Sequence, residues 1–479
     1  MYIGLDLGTS GVKALLMDDT QAVVAEAQAP LSVSRPKAGW SEQTPADWIA
    51  ATGTALEALA AKAPLGGVRG IGLSGQMHGT TLIDRAGDVL RPCMLWNDTR
   101  SFAEAAEMDA TPPWREVSGN IVFPGFTAPK VEWVRRNEPE IFERIALVLL
   151  PKDYLRLWLT GEAVSEMSDA AGTGWLDVGA RDWSDELLAA SGLVRANMPR
   201  LIEGSQVSGT MRDSLADRFG LPKSVIVAGG GGDNAASAVG VGVVRAGDAF
   251  VSLGTSGVLF AANDAYRPDP ASAVHTFCHA VPDTWHQMGV ILSATDALEW
   301  YARLLGRTAA DLTGALGDLR PPGRATFLPY LGGERTPHND AQIRGAMIGL
   351  DHSADAEALT RAVLEGVTFA LADCHAALSA TGTQIRRLIA VGGGSRSDYW
   401  LEAIATALDL EIEVPVAGDF GGAFGAARLA MMADTGDGGA LATPPKIDHR
   451  VAPNAALRDA FAEAHARYRA TYTALKGLS

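Results

Sequence analysis

An apolar run at positions 2–7 leads into a glycine-and-hydroxyl turn, and a second apolar run follows at 12–17. Short apolar runs bounded by turn residues read as buried strands, so the chain opens strand, turn, strand. The same arrangement recurs half a chain later, with apolar runs at 249–253 and 258–262. The turn itself is repeated: LGTSG stands at 7–11 and again at 253–257. Matching flanks around a matching turn point to duplication and to two related domains meeting at a cleft. The boundary is placed near residue 245, giving a first domain over 1–245 and a second over 246–479.

Between these landmarks helical and strand patterns alternate. Thr44 is placed to cap a helix with Pro45 at its first position, and apolar residues continue at helical spacing over 48–59. Runs at 68–73 and 147–150 read as strands. A long amphipathic helix is expected over 353–378, another over 399–408, then a strand at 412–414, a glycine-started helix from Gly421 and a closing helix within 454–475. Such alternation predicts an α/β architecture.

Two further glycine clusters, GGGGDN at 229–234 and GGGS at 392–395, each follow a strand-like run, at 224–228 and 388–391, and precede a helical pattern. Glycine turns after strands let several N–H groups approach one ligand, the means by which a backbone binds phosphate. Hairpins and helix caps alone would explain one such cluster. Four clusters, with Thr9, Ser10, Thr255 and Ser256 inside two of them, favour phosphate binding. No GxxxxGK[ST] motif is present, and no GxGxxG follows the first strand, which argues against a P-loop enzyme and a dinucleotide dehydrogenase.

Composition narrows the class. The 479 residues are 47% hydrophobic and 20% charged, as in globular proteins, with 53 glycines. The formal charge of −16 repels polyanions, so no nucleic-acid partner is expected and any phosphate must be held locally. Cys93, Cys278 and Cys374 cannot build a disulfide framework and suit a reducing compartment. With no basic, cleavable start and no apolar run approaching the ~18 residues that span a bilayer, the expectation is a cytoplasmic protein without a membrane partner.

Two carboxylates stand out. Asp6 interrupts an apolar strand, where Asp is disfavoured, and the second LGTSG copy has Ser252 at the matching place. Asp233 follows a glycine turn at a helix start, where an N-cap would be its ordinary role. One carboxylate beside a phosphate cradle suggests Mg²⁺, and a second suggests a base for an attacking hydroxyl. Together they point to phosphoryl transfer to an alcohol. His275, Cys278, His279 and nearby His286 have the density of a metal site, but their spacing fits no complete zinc pattern and strand alternation would separate the side chains.

GLDLGTSGVK at 4–13, GLSGQMHG at 72–79, WNDTR at 96–100, GGGGDNAASAVGVG at 229–242 and GGERTPHND at 332–340 resemble, in order along the whole chain, the FGGY carbohydrate kinases, and among them the xylulose-phosphorylating branch. The resemblance implies two ribonuclease-H-like domains of the actin and hexokinase type flanking a catalytic cleft, the first on the sugar and catalytic side and the second on the nucleotide side. It implies ATP as co-substrate with Mg²⁺, Asp233 as general base, and Asp6 as a catalytic carboxylate that also holds the metal. Gln76, Met77, His78, Trp96, Asp98 and Asn234 would contact the sugar. Gly8, Thr9, Ser10, Lys13, Gly254, Thr255, Gly393 and Gly394 would serve the nucleotide. The implied reaction is phosphorylation of D-xylulose at O5. Sibling kinases for ribulose, another ketose, a polyol or glycerol are the near alternative, and a non-catalytic nucleotide-gated sugar-binding protein on the same fold is the alternative of another class. Family members are often dimers, and nothing in the sequence locates an interface.

Overall fold

A computed structural model describes residues 1–416 and 421–478. The first half is built on a mixed sheet whose strands run, edge to edge, Val207–Thr210, Ile226–Ala228, Gly70–Gly75, Tyr2–Leu7, Gly11–Met17 and Val23–Pro30. Tyr2–Leu7 is parallel to Gly70–Gly75 and antiparallel to Gly11–Met17. The second half repeats this order with Ile447–Val451, Ile412–Pro415, Arg387–Val391, Asp248–Leu253, Gly257–Asn263 and Trp285–Ile291, and His275–Cys278 extends the far edge. The directions match as well: Asp248–Leu253 is parallel to Arg387–Val391 and antiparallel to Gly257–Asn263. The repeated pentapeptide is therefore the turn of one hairpin used twice, each time in a ribonuclease-H-like sheet.

Local chemistry explains the main helices. Pro45–Lys62 begins after Thr44, which holds the N-cap position but whose side chain, contrary to expectation, makes no capping hydrogen bond; proline stands in the first turn, where the missing N–H costs nothing. Ala356–Ala380 is capped by Asp355, whose side chain accepts from the Ala358 N–H. By length and hydropathy it is apolar enough to cross a membrane, but most of its apolar window is buried in the second-half core.

One helix crosses between the halves. Gly422–Thr435, from the second half of the sequence, packs on the first sheet through Ala423, Ala427 and Ala430, which share a core with Tyr2 and Leu15. The approach is closer than any side chain allows: a Cβ on Gly4 would lie 1.7 Å from the Ala423 carbonyl oxygen, and one on Gly72 would lie 1.8 Å from that of Ala426. The closing helix, Arg458–Leu475, packs instead in the second-half core, where Phe461, Tyr468 and Tyr472 join the residues of Ala356–Ala380.

Candidate active site

Asp6 and Asp233 come close enough for the charge of one to act on the other because three parallel strand ends lie side by side. In register, Asp6 pairs with Ser74, and Ser74 pairs on its other side with Gly231 of the short strand Gly231–Gly232. Adjacent strands lie about 4.8 Å apart. Asp233 follows as the first residue of the helix Asp233–Gly240, so it sits two strands across from Asp6. Asp6 Oδ1 accepts from Ser74 Oγ at 2.8 Å, and its strand partner on the hairpin side is Lys13.

Both carboxyls are pushed upward. For Asp6 burial is the main cause, opposed by the Ser74 hydrogen bond and the Lys13 charge. For Asp233 burial and the negative charge of Asp6 raise the pKa to about 7, although Oδ1 accepts from the Asn234 backbone N–H at 2.7 Å and side-chain amide at 3.0 Å. A base for a hydroxyl needs this placement near neutrality. The pair also suits a hard divalent cation, which takes carboxylate oxygens and would offset the burial of both groups and the Asp6 charge that raises Asp233.

The turn that carries Asp233 is gripped from beneath by residues the motif reading did not single out. Arg156, fully buried, donates to the carbonyls of Ala228 and Gly229. Ser168 Oγ accepts from the Gly232 N–H at 3.1 Å and donates to the buried Glu166. Lys152, also fully buried, lies 2.7 Å from Asp153 and 3.4 Å from Asp169. Basic residues this deep inside a fold, paired with carboxylates, were invisible to a pattern that scores charge as surface.

In the loop after Gly70–Gly75, His78 adopts a left-handed backbone, φ 67°, a conformation that costs a non-glycine residue about 1–2 kcal/mol. It is held there from two sides. Thr127 Oγ1 and Lys130 Nζ donate to its carbonyl at 3.1 and 3.0 Å, and Lys130 spends its other donors on Gly125 O at 2.7 Å and Met94 O at 3.4 Å. Burial pushes the Lys130 ammonium down to about 7. The imidazole stacks on Phe126 with ring centres 4.8 Å apart, and its Nδ1 lies 2.6 Å from the Gly172 carbonyl. A carbonyl can only accept, so Nδ1 carries the proton and Nε2 is left as an acceptor. Burial pushes this imidazole down to about 3, which keeps it neutral. A Cβ on Gly172 would stand 2.6 Å from the ring, so that glycine is what lets the ring in.

Gln76 and Thr9 belong to a single chain of hydrogen bonds. Trp96 Nε1 donates to Thr9 Oγ1 at 3.1 Å, Thr9 donates to Gln76 Oε1 at 2.9 Å, and Gln76 Nε2 donates to Gln43 Oε1 at 3.0 Å. Met77 packs under the Asp233 turn, its sulfur 3.0 Å from where a Cβ on Gly232 would be. Asp98 corrects the expectation of a sugar contact. It is fully buried, and its two oxygens are filled by Arg100 Nε and Nη2 at 2.9 and 2.6 Å and by the N–H groups of Arg100 and Ser41. Its carboxylate shapes the loop and presents no oxygen to the cleft.

A cleft of about 970 Å³ runs between the halves, lined by Asn234 and Ser237 on one side and by Ser252, Gly392, Ser395 and Gly421 on the other. A hollow of about 580 Å³ lies against Asp6, Gly8, Ser10 and Lys13. Gly393 and Gly394 start the 3-10 turn next to Gly392. Gly254 is half-buried and Thr255 exposed at the second turn, and their carbonyls accept from the N–H groups of Thr295 at 2.9 Å and Ala294 at 2.8 Å. The histidine cluster does not assemble a metal site: His279 Nε2 lies 3.0 Å from the Val243 carbonyl, His275 Nε2 lies 3.1 Å from Arg335, and His286 stacks on Phe260.

Known proteins share this arrangement. Residues 1–240 match the N-terminal domain of the FGGY family of carbohydrate kinases, and residues 249–433 match its C-terminal domain. A xylulose kinase from Klebsiella pneumoniae is 48% identical over 96% of this chain and 98% of its own length, and one from Escherichia coli is 50% identical over 90% of each. The crystal structure of a xyloylose kinase from Brucella ovis is 62% identical over the whole of both chains, with a TM-score of 0.98. With two matched domains, relatives of this identity and a carboxylate pair at the cleft, the chain belongs to the FGGY family of carbohydrate kinases.

Proposed function

We propose that this kinase transfers the γ-phosphoryl group of ATP to O5 of D-xylulose, giving D-xylulose 5-phosphate and ADP. The observation that carries the chemistry is Asp233, set at a helix start and raised to about 7 by burial and by Asp6. In this reading Asp233 receives the proton of the sugar hydroxyl as the hydroxyl attacks, and Asn234 orients its carboxylate. His78 Nε2 accepts a hydrogen bond from another sugar hydroxyl, while Met77 and Trp96 close the apolar side. Gly8, Ser10 and Lys13 line the hollow that would receive the transferred phosphoryl group. Gly393 and Gly394, beside the larger cleft, serve the nucleotide.

Mg²⁺ bound to Asp6, with Asp233 beside it, would neutralise the phosphate charge and leave the chain's own residues to orient and deprotonate the acceptor. The first domain, 1–245, would hold sugar and base, and the second, 246–479, the nucleotide. The xylulose kinases named above support the choice of sugar. ADP release measured with D-xylulose, D-ribulose, a hexulose, a pentitol and glycerol tests it. D-xylulose should give the highest kcat/KM, because a site that pairs several hydroxyls leaves groups unpaired with a smaller acceptor. Glycerol turnover equal to that with D-xylulose would overturn the assignment.

A further inference from the structure

The GGERTPHND segment belongs to the second half of the chain, yet its arginine lies on the sugar side of the first. Arg335 is half-buried, and its guanidinium sits over the ring of Phe123 at 4.7 Å. Its side-chain hydrogen bond among the described residues goes to His275 Nε2, at 3.1 Å, and no carboxylate of those residues is within ion-pair reach. A guanidinium is a donor-only fork with more N–H groups than that one contact uses. His275 and Phe123 border the pocket that holds His78: the His275 and Phe126 rings are 6.0 Å apart, Phe123 and Phe126 are 5.7 Å apart, and Phe126 stacks on His78. Arg335 is close enough that its charge weighs on the His78 imidazole.

The loop is fixed from behind. His338 stacks on Tyr472 of the closing helix with ring centres 3.6 Å apart, and Tyr472 donates to Asp340 at 3.2 Å. The guanidinium is therefore held in place at the junction of the halves. The order of contacts also gives it a direction. The Asp233 turn touches Met77, His78 follows Met77 in sequence and stacks on Phe126, and Arg335 lies beyond Phe123. That path leads away from the base that deprotonates the reacting hydroxyl.

We propose that Arg335 donates hydrogen bonds to the sugar oxygens at the end remote from the phosphorylated hydroxyl, so that the second half of the chain supplies a specificity residue to the sugar site. The proposal rests on the reading of the protein as a pentulose kinase. An extended polyhydroxylated acceptor fits this geometry, since only a chain of several carbons could meet Asp233 at one end and a charged donor at the other. His275 holds the guanidinium on one edge and leaves its remaining donors for the ligand.

Steady-state kinetics of the full-length protein test it, with wild type, Arg335→Met, Arg335→Lys and Phe123→Leu. For Arg335→Met, KM for D-xylulose should rise about 10- to 100-fold, the cost of losing charge-assisted bonds, while kcat and the KM for ATP stay within about threefold. Arg335→Lys should recover part of the lost affinity, because a cation remains. Phe123→Leu, which removes the aromatic platform and leaves the guanidinium, should raise KM by a smaller factor. An unchanged KM for D-xylulose in Arg335→Met would overturn the proposal. So would a joint fall of kcat and of ATP affinity with a lowered melting temperature in both Arg335 variants, the mark of a merely structural residue. A wild-type enzyme that does not phosphorylate D-xylulose would refute the pentulose-kinase reading itself, and that control separates the two failures.

Discussion

Thr9 Oγ1 donates to Gln76 Oε1 at 2.9 Å, joining the first glycine turn to the loop that carries Met77 and His78. Trp96 bonds the same hydroxyl. A residue expected on the nucleotide side by its place in LGTSG thus bonds two residues expected on the sugar side. Thr9→Val removes the hydroxyl at nearly constant volume, and a lost hydrogen bond of about 0.5–1.5 kcal/mol corresponds to a rise of roughly 2- to 12-fold in the KM for D-xylulose. The KM for ATP should move less. Equal changes in both would return Thr9 to the nucleotide.

The His78 imidazole is neutral because burial holds it near 3, so it has no titration between pH 5 and 9. The acid limb of kcat/KM should come from Asp233, whose carboxylate is the active form, and activity should therefore rise with pH through about 7. His78→Ala should raise the sugar KM and leave that limb where it is. A limb that disappears with the imidazole would assign the titration to His78.

A raised carboxyl also leaves a mark on stability. The folded protein binds the Asp233 proton more tightly than the unfolded chain, so the ionised residue destabilises the free enzyme as pH rises from the ordinary carboxylate range, about 3.8, to about 7. Asp233→Asn should melt higher than wild type at pH 8, by about 2–5 °C, and the difference should vanish below about pH 4, where both states of the wild type are protonated. Differential scanning calorimetry without nucleotide or sugar reads this directly. An equal difference at both pH values would contradict the charge origin.

The crossing helix predicts a packing defect of a specific kind. Gly72→Ala places a methyl group against the Ala426 carbonyl, and overpacking of this sort costs typically about 1–3 kcal/mol. The urea midpoint should fall, and because Gly72 shares a strand with Ser74, activity should fall with it. A midpoint unchanged within error would mean that the helix can move away from the sheet.

Much of the fold was written in local pattern. The hairpins at 2–17 and 248–263, the proline-started helix after Thr44 and the long helix ending near 380 each follow from apolar runs, turn glycines and caps. The start of the long helix moved from 353 to Ala356 because Asp355 takes the cap. What local pattern does not encode is which sheet a helix serves. The glycine-started helix from Gly421, observed as Gly422–Thr435, reads as one more helix of the second half, and only the glycines facing it on the first sheet, Gly4 and Gly72, record where it packs.

The candidate site divides in the same way. Asp6, Gln76, Met77, His78, Asp233 and Asn234 lie in or beside turns whose glycines announce close backbone approach. Asp98 lies in an equally polar turn, but Arg100, two residues on, consumes its charge, and spacing alone does not show which way a carboxylate faces. Lys130, Arg156 and Gly172 act through backbone carbonyls or through the absence of a side chain, and neither leaves a pattern in a single sequence.

The most direct measurement is ADP release by wild type and by Asp233→Asn at saturating D-xylulose and ATP, with sugar binding followed in parallel. Asn keeps the shape and a hydrogen bond but cannot take a proton. The variant should bind D-xylulose with nearly unchanged affinity and turn it over about 10²- to 10⁴-fold more slowly. Near wild-type kcat in that variant would contradict the assignment of Asp233 as the base.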